Sequence, residues 1–179
     1  MNRKIAMLSI GIILVTLIGI SIKTSRDKKA NALTEETKVE LTRMPEFSFQ
    51  DTLGNAFTKV DLQEGKPTVV IHFGHFCPYC HKEAKIIAHY FEEYKDFQLV
   101  FITKDKAPNI NAFMEKNKLT DKANITVLRY ENNEFEEAFG SRSLPCLFIF
   151  DKQLQFVQHF DGAVTARTLI KFTRVAKRR

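Results

Sequence analysis

Two kinds of apolar patterning run along this chain. Residues 5–22, IAMLSIGIILVTLIGISI, carry no charge at all. From Met44 onward the apolar positions come instead in short groups separated by turn residues. Residues 47–49 (FSF) and 56–58 (AFT) flank the turn-forming stretch 51–55 (DTLGN), which predicts a β-hairpin. Residues 68–73 (TVVIHF) form a near-continuous, β-branched run, the signature of a central strand buried on both faces. Further strands are predicted over 97–103, 125–130, 147–150 and 156–160, the last two joined by a turn at 151–153. Helical spacing places Cys80, Ala84, Ile87, Ala88, Phe91 and Tyr94 on one face of a helix from Tyr79 to about Lys95. A short helix is predicted over 109–119, one or two turns over 134–139 stopped by Gly140, and an amphipathic helix from Thr165 to about Lys177. Strands that alternate with helices and then give way to a hairpin and a helix predict an α/β domain. Its mixed central sheet should be flanked by helices on both faces.

The 18 uncharged residues of 5–22 lie near the lower limit for a membrane-spanning helix, which needs about 20. Arg3 and Lys4 precede them, and Lys23 follows directly with no small-x-small cleavage signal at the end. The expectation is a retained signal-anchor over 1–22, a polar linker over 23–42 and a folded domain over 43–179. Basic residues flank both ends of the segment, so charge alone does not orient it.

Composition then narrows the function. The chain has 179 residues, 44% hydrophobic and 27% charged, a globular balance. Its net charge of +6 is unevenly spread: residues 1–30 and 171–179 are each net +5, and the stretch between them is net −4. Basic ends on an acidic body suit an anionic lipid surface, and no basic stripe interleaved with aromatics points to nucleic acid. Three cysteines are too few for a disulfide scaffold.

Two of the three, in Cys77-Pro78-Tyr79-Cys80, stand between a predicted buried strand and a helix. At a helix start the free N–H groups and the positive end of the dipole stabilise a thiolate at Cys77. Pro78 suits the first helical turn because its missing N–H has no partner to lose there. Cys80 lies nearly one turn further in, within reach of Cys77 and less exposed. Cys77 is therefore the expected nucleophile and Cys80 the resolving thiol of a disulfide-exchange reaction.

The stretch 69–83, VVIHFGHFCPYCHKE, resembles the active-site region of the thioredoxin superfamily. It is most similar to the membrane-tethered, extracytoplasmic TlpA/ResA-like reductases. The resemblance implies a thioredoxin-like fold with an extra N-terminal hairpin, preceded by one transmembrane helix. It implies a protein-disulfide reductase with no cofactor beyond the redox-active Cys77–Cys80 pair. Glu83 matches the family's acidic position near the buried thiol, where it moves a proton. Pro145 matches the family's cis-proline, and the backbone of Leu144 then pairs with the substrate chain as an added strand. Phe76, Pro78 and Tyr79 complete the implied substrate-contacting surface. The implied partners are disulfide-bearing proteins and a membrane electron donor, for a monomer in the bacterial cell envelope. Ile71 stands where classical thioredoxins have a buried Asp, and Phe76 where the family usually has Trp. The Pro78-Tyr79 pair is the one seen in dithiol glutaredoxins. A peroxiredoxin would need P-x-x-x-T-x-x-C, whereas Gly74 stands three residues before Cys77.

Other readings of the same residues compete. Cys77 to His81 matches C-x-x-C-H, the covalent haem attachment pattern, although His81 is expected on the exposed face of its helix. Cys77 and Cys80 with His72, His75, His81 or Cys146 would make a copper-handling metal site. Cys146 is otherwise a small buried hydrophobe, and His72 a hydrogen-bonded core histidine. A non-catalytic binding module is the third alternative, against which the presence of both cysteines argues.

Overall fold

The computed structural model describes residues 41–179. The expected anchor at 1–22 and nearly all of the linker at 23–42 lie outside the described residues. Among the described residues no helix is long and apolar enough to cross a membrane.

A seven-stranded mixed sheet organises this part of the chain, in the order β2-β1-β5-β4-β3-β6-β7. The strands are β1 Ser48–Gln50, β2 Ala56–Thr58, β3 Thr68–His72, β4 Gln98–Thr103, β5 Ile125–Arg129, β6 Cys146–Phe150 and β7 Phe156–Asp161. The helices are α1 Pro78–His89, α2 Ala107–Lys116, α3 Glu134–Phe139 and α4 Ala166–Arg178. At the centre, β3 runs parallel to β4 with Val70 opposite Val100, and antiparallel to β6 with Val70 opposite Phe148. β1 and β2 pair antiparallel, Phe49 opposite Phe57, and β1 meets β5 at Gln50 and Arg129.

The central strands are buried along their whole length, as their near-continuous apolar runs require. Alternation along β3 and β6 divides their side chains between two cores. On one face Val69, Ile71, Phe73, Leu147 and Ile149 pack with Ile87 of α1, Phe113 of α2 and Leu169 of α4. On the other, Val70, Cys146, Phe148 and Phe150 pack with Phe47 and Phe49 and with Phe135 and Phe139 of α3. Helices thus cover both faces. α3 ends where Gly140 adopts φ 69°, a left-handed conformation that favours glycine, and its N–H caps Glu136 O.

The predicted 79–95 helix is shorter in the structure. α1 ends at His89, and Phe91–Tyr94 form a separate 3₁₀ turn. The break lets Tyr94, only 1% exposed, insert into the core beside Phe97. A continuous α-helix would keep both residues on its own surface register.

Phe113 is fully buried and its ring lies 4.4 Å from that of Phe73 and 4.7 Å from that of His81, beneath the cysteine pair. Phe113→Ala is expected to cost about 3–5 kcal/mol of stability, read as a lower urea midpoint at unchanged slope. A loss under about 1 kcal/mol would show that this core does not support the site as described.

Candidate active site

Cys77 is the N-cap residue of α1. Its φ of −83° and ψ of 110° are extended, and its sulfur accepts a hydrogen bond from Cys80 N at 3.1 Å. Pro78 occupies the first helical turn. The N-cap position brings Cys80 within bonding distance, with 5.2 Å between the Cα atoms, and the two cysteines form a disulfide. Cys77 is partly exposed, whereas Cys80 is 2% exposed in the core. The outer sulfur meets solvent and the inner one does not, which is the division the spacing predicts.

The segment leading into Cys77 is held from β4. Asp105 Oδ2 accepts His75 N at 2.6 Å and the Thr103 hydroxyl at 3.1 Å. A Cβ on Gly74 would lie 3.3 Å from Leu144 Cδ1 and 3.9 Å from Cys77 Cβ, so a side chain there would press on the leucine of the loop that approaches Cys77. That loop carries Leu144 and Pro145, joined by a cis peptide bond. Leu144 O lies 3.6 Å from Cys77 Sγ. The disulfide sulfur has no hydrogen, so this is a close contact that only a free thiol would convert into a hydrogen bond.

The same loop is fastened from the opposite face of the sheet. His72 Nδ1–H donates to Ser143 O at 3.0 Å, and His72 Nε2 accepts from the Tyr130 hydroxyl at 2.7 Å. The ring stacks on Phe135 at 4.1 Å. Burial pushes His72 down to about 4; Ser143 O opposes the fall and Lys104 assists it. A neutral imidazole therefore ties β3 to the cis-proline loop at physiological pH. His72 is the core histidine the sequence predicts, and Tyr130 is its partner that the sequence does not reveal.

His81 differs from expectation. It is half-buried on Phe113 instead of exposed, with Nε2–H donating to His75 O at 2.9 Å and Nδ1 accepting from Asn117 Nδ2 at 2.8 Å. Both nitrogens of His72 and of His81 are thus engaged. Cys146 projects into the core on the other side of the sheet from Cys80. The proposed grouping of Cys146 with Cys77 and Cys80 fails for this reason: the strand's alternation turns its sulfur away, although Pro145 precedes it directly.

Glu83 is 1% exposed, one turn after Cys80 on the buried face of α1. Its Oε2 accepts Val164 N at 2.8 Å, and its Oε1 is buried without a partner. Burial raises Glu83 to about 7, against the lowering effects of the Val164 N–H and Lys82. A carboxyl one helical turn from Cys80, raised to about 7, can take up or return a proton near neutral pH.

Around Cys77 the surface is apolar and open: Phe76 is 83% exposed, Tyr79 65% and Leu144 44%. A concavity of about 520 Å³ flanks Leu144, lined by Gly74, Lys104, Asp105, Tyr130 and Arg142 among others. A second lies against Phe76 and Pro78 and includes His75, His81, Lys85 and Lys116. Large apolar side chains clustered in solvent mark a contact surface rather than a core.

Among solved structures the described fold is similar to MTB DsbF in its mixed oxidized and reduced forms. That match has 20% identity and a TM-score of 0.65, and covers 76% of this chain and 99% of the other. A thiol:disulfide interchange protein of the thioredoxin family from Chlorobium tepidum matches at 20% identity and TM-score 0.63, covering 77% and 97%. StoA from Bacillus subtilis matches at 17% and 0.56, covering 74% and 98%. No curated protein sequence matches the chain. At such identities the structures establish the thioredoxin-like fold alone. The family match spans residues 41–159 and takes in the strand, the cysteine pair and the cis-proline loop: the chain belongs to the AhpC/TSA family.

Proposed function

We propose that this protein is a thiol–disulfide oxidoreductase that reduces disulfides in protein clients outside the cytoplasm. The observation that carries this reading is the bonded Cys77–Cys80 pair at the N-terminus of α1, outer sulfur accessible and inner sulfur buried. In the reduced enzyme the Cys77 thiolate attacks one sulfur of a client disulfide. The client's other sulfur leaves as a thiolate, and a mixed disulfide forms at Cys77. Glu83 accepts the proton of the Cys80 thiol, and Cys80 attacks Cys77 Sγ. The client's second sulfur is released, and the enzyme disulfide forms as two electrons pass to the client. A membrane electron donor returns the enzyme to the dithiol. The client's extended backbone lies along Leu144, while Phe76, Pro78 and Tyr79 contact its side chains. Residues 5–22 anchor the monomeric domain to the membrane.

Cys80→Ser leaves the attacking thiol without its resolving partner. Expressed in its host, this variant is expected to accumulate mixed disulfides that run as reducible higher-mass bands on non-reducing gels. The double variant with Cys77→Ser should show none. Bands that persist without Cys77, or no bands in the single variant, would contradict the reading.

Glu83→Gln keeps an acceptor for Val164 N–H but cannot take a proton. Insulin-disulfide reduction by this variant is expected to slow by roughly tenfold to hundredfold, with the loss in resolution of the mixed disulfide rather than its formation. Stability should move the other way. The folded carboxyl titrates above its unfolded value of 4.5, so between pH 4.5 and about 7 the folded state holds more protons and stability falls as pH rises. A shift of that size corresponds to roughly 3 kcal/mol. The variant should therefore be more stable than the parent at pH 8, with the gap closing below pH 4.5. Equal stability at pH 8 would show that the buried carboxylate costs nothing.

A further inference from the structure

We propose that Cys146, His159 and Asp161 form a zinc-binding site on the face of the sheet opposite the Cys77–Cys80 pair. The site follows from strand register. Cys146 of β6 stands directly opposite Asp161 of β7, and His159, two residues before Asp161, projects from the same side of β7. The Cys146 sulfur, a ring nitrogen of His159 and a carboxylate oxygen of Asp161 all lie within 4.8 Å of one another. Bond lengths of 2.0–2.3 Å around a tetrahedral zinc place ligand atoms about 3.3–3.8 Å apart, so modest side-chain rotation closes the set. β7 lies at the edge of the sheet and can supply it.

Several features distinguish this cluster from an accidental meeting of polar groups. His159 Nε2 is shielded from solvent and makes no hydrogen bond, although Asp161 Oδ1 is 3.2 Å away, within ion-pair distance but misaligned for a bond. The imidazole plane is fixed by stacking on Phe148, 4.2 Å between centroids and 9° between planes. Asp161 Oδ1 accepts the Ser141 hydroxyl at 2.8 Å, the kind of outer contact that orients a ligating carboxylate. Cys146 is fully buried and forms the inner end of the cluster. Zinc ionises it by replacing the S–H bond with an S–Zn bond, the proton passing to solvent. Thiolate and carboxylate then neutralise the divalent ion, with imidazole neutral, so the cluster closes without net charge. Asp161 is exposed, which leaves the fourth position open to water. One thiolate and one imidazole favour zinc over calcium or magnesium, which take oxygen ligands.

The site is tied to the cis-proline loop, because Ser141 also accepts Ser143 N at 3.2 Å and Gly162 N donates to Pro145 O at 2.8 Å. A metal bridging β6 and β7 therefore braces the loop that faces Cys77 from behind. Binding does not use the active-site thiols and stands whether or not they exchange disulfides.

The test uses the full, untagged chain with Cys77 and Cys80 oxidised. Cys146 is then the sole free thiol among the three cysteines of the sequence. Titration with Co²⁺ is expected to give a thiolate-to-cobalt charge-transfer band saturating at one equivalent and abolished by Zn²⁺. His159→Gln and Asp161→Asn should each weaken binding by roughly tenfold or more, while melting of the metal-free variants stays within a few degrees of the parent. Absence of the band, cobalt binding without it, or a band indifferent to both substitutions would overturn the proposal.

Discussion

The structure depends on one junction, the meeting of β3 with the first turn of α1. There a sulfur takes the place usually filled by an oxygen at a helix N-cap: Cys77 Sγ accepts the Cys80 N–H. The same geometry that ends the strand and starts the helix presents Cys77 to solvent, places Cys80 beneath it and directs the helix dipole at the outer sulfur. The outer sulfur needs no neighbouring base for this. What the rest of the fold supplies is rigidity, with β3 buried on both faces and paired on both edges.

Polar groups are buried around this junction on both faces of the sheet, and each has a positional consequence. On the α1 face Glu83 carries a carboxyl whose charged form is disfavoured by its surroundings, in a place where an apolar residue would pack at no such cost. On the far face His72 is kept neutral and hydrogen-bonded to the loop that ends in Pro145. Cys146 and Asp161 continue that row across β6 and β7, in register with His72. The cis-proline loop is thus held by polar contacts from behind while its Leu144 faces the outer sulfur. A buried polar group removed from such an arrangement leaves its partner unsatisfied, which makes the loop's position sensitive to substitutions outside contact range of Cys77.

Much of this is legible in the sequence because it is local. The near-continuous apolar runs 68–73 and 147–150 announce central strands, and the cysteine spacing next to a strand places both sulfurs at a helix start. The burial of Glu83 has a signal too: Cys80, Glu83, Ala84 and Ile87 form an i, i+3, i+4, i+7 stripe, so the carboxylate falls on the core face. Read as one charge among several in a helix, it looks solvated. Other contacts have no local signature. Tyr130 reaches His72 across 58 residues of sequence, Ser143 across 71, and Asn117 meets His81 across 36. Cys146 illustrates a different limit. A strand buried on both faces has no polar alternation to say which way a side chain points, so adjacency to Pro145 suggests the wrong face.

The proposed chemistry requires that helix placement alone make the outer sulfur acidic. The direct measurement is the rate of iodoacetamide alkylation of Cys77 in the reduced protein, followed by peptide mass analysis across a pH series. Cys77 is expected to react with a half-maximal pH below about 7.5, and Cys80 far more slowly at every pH. A Cys77 profile centred near 8.5, that of an ordinary cysteine, would contradict it.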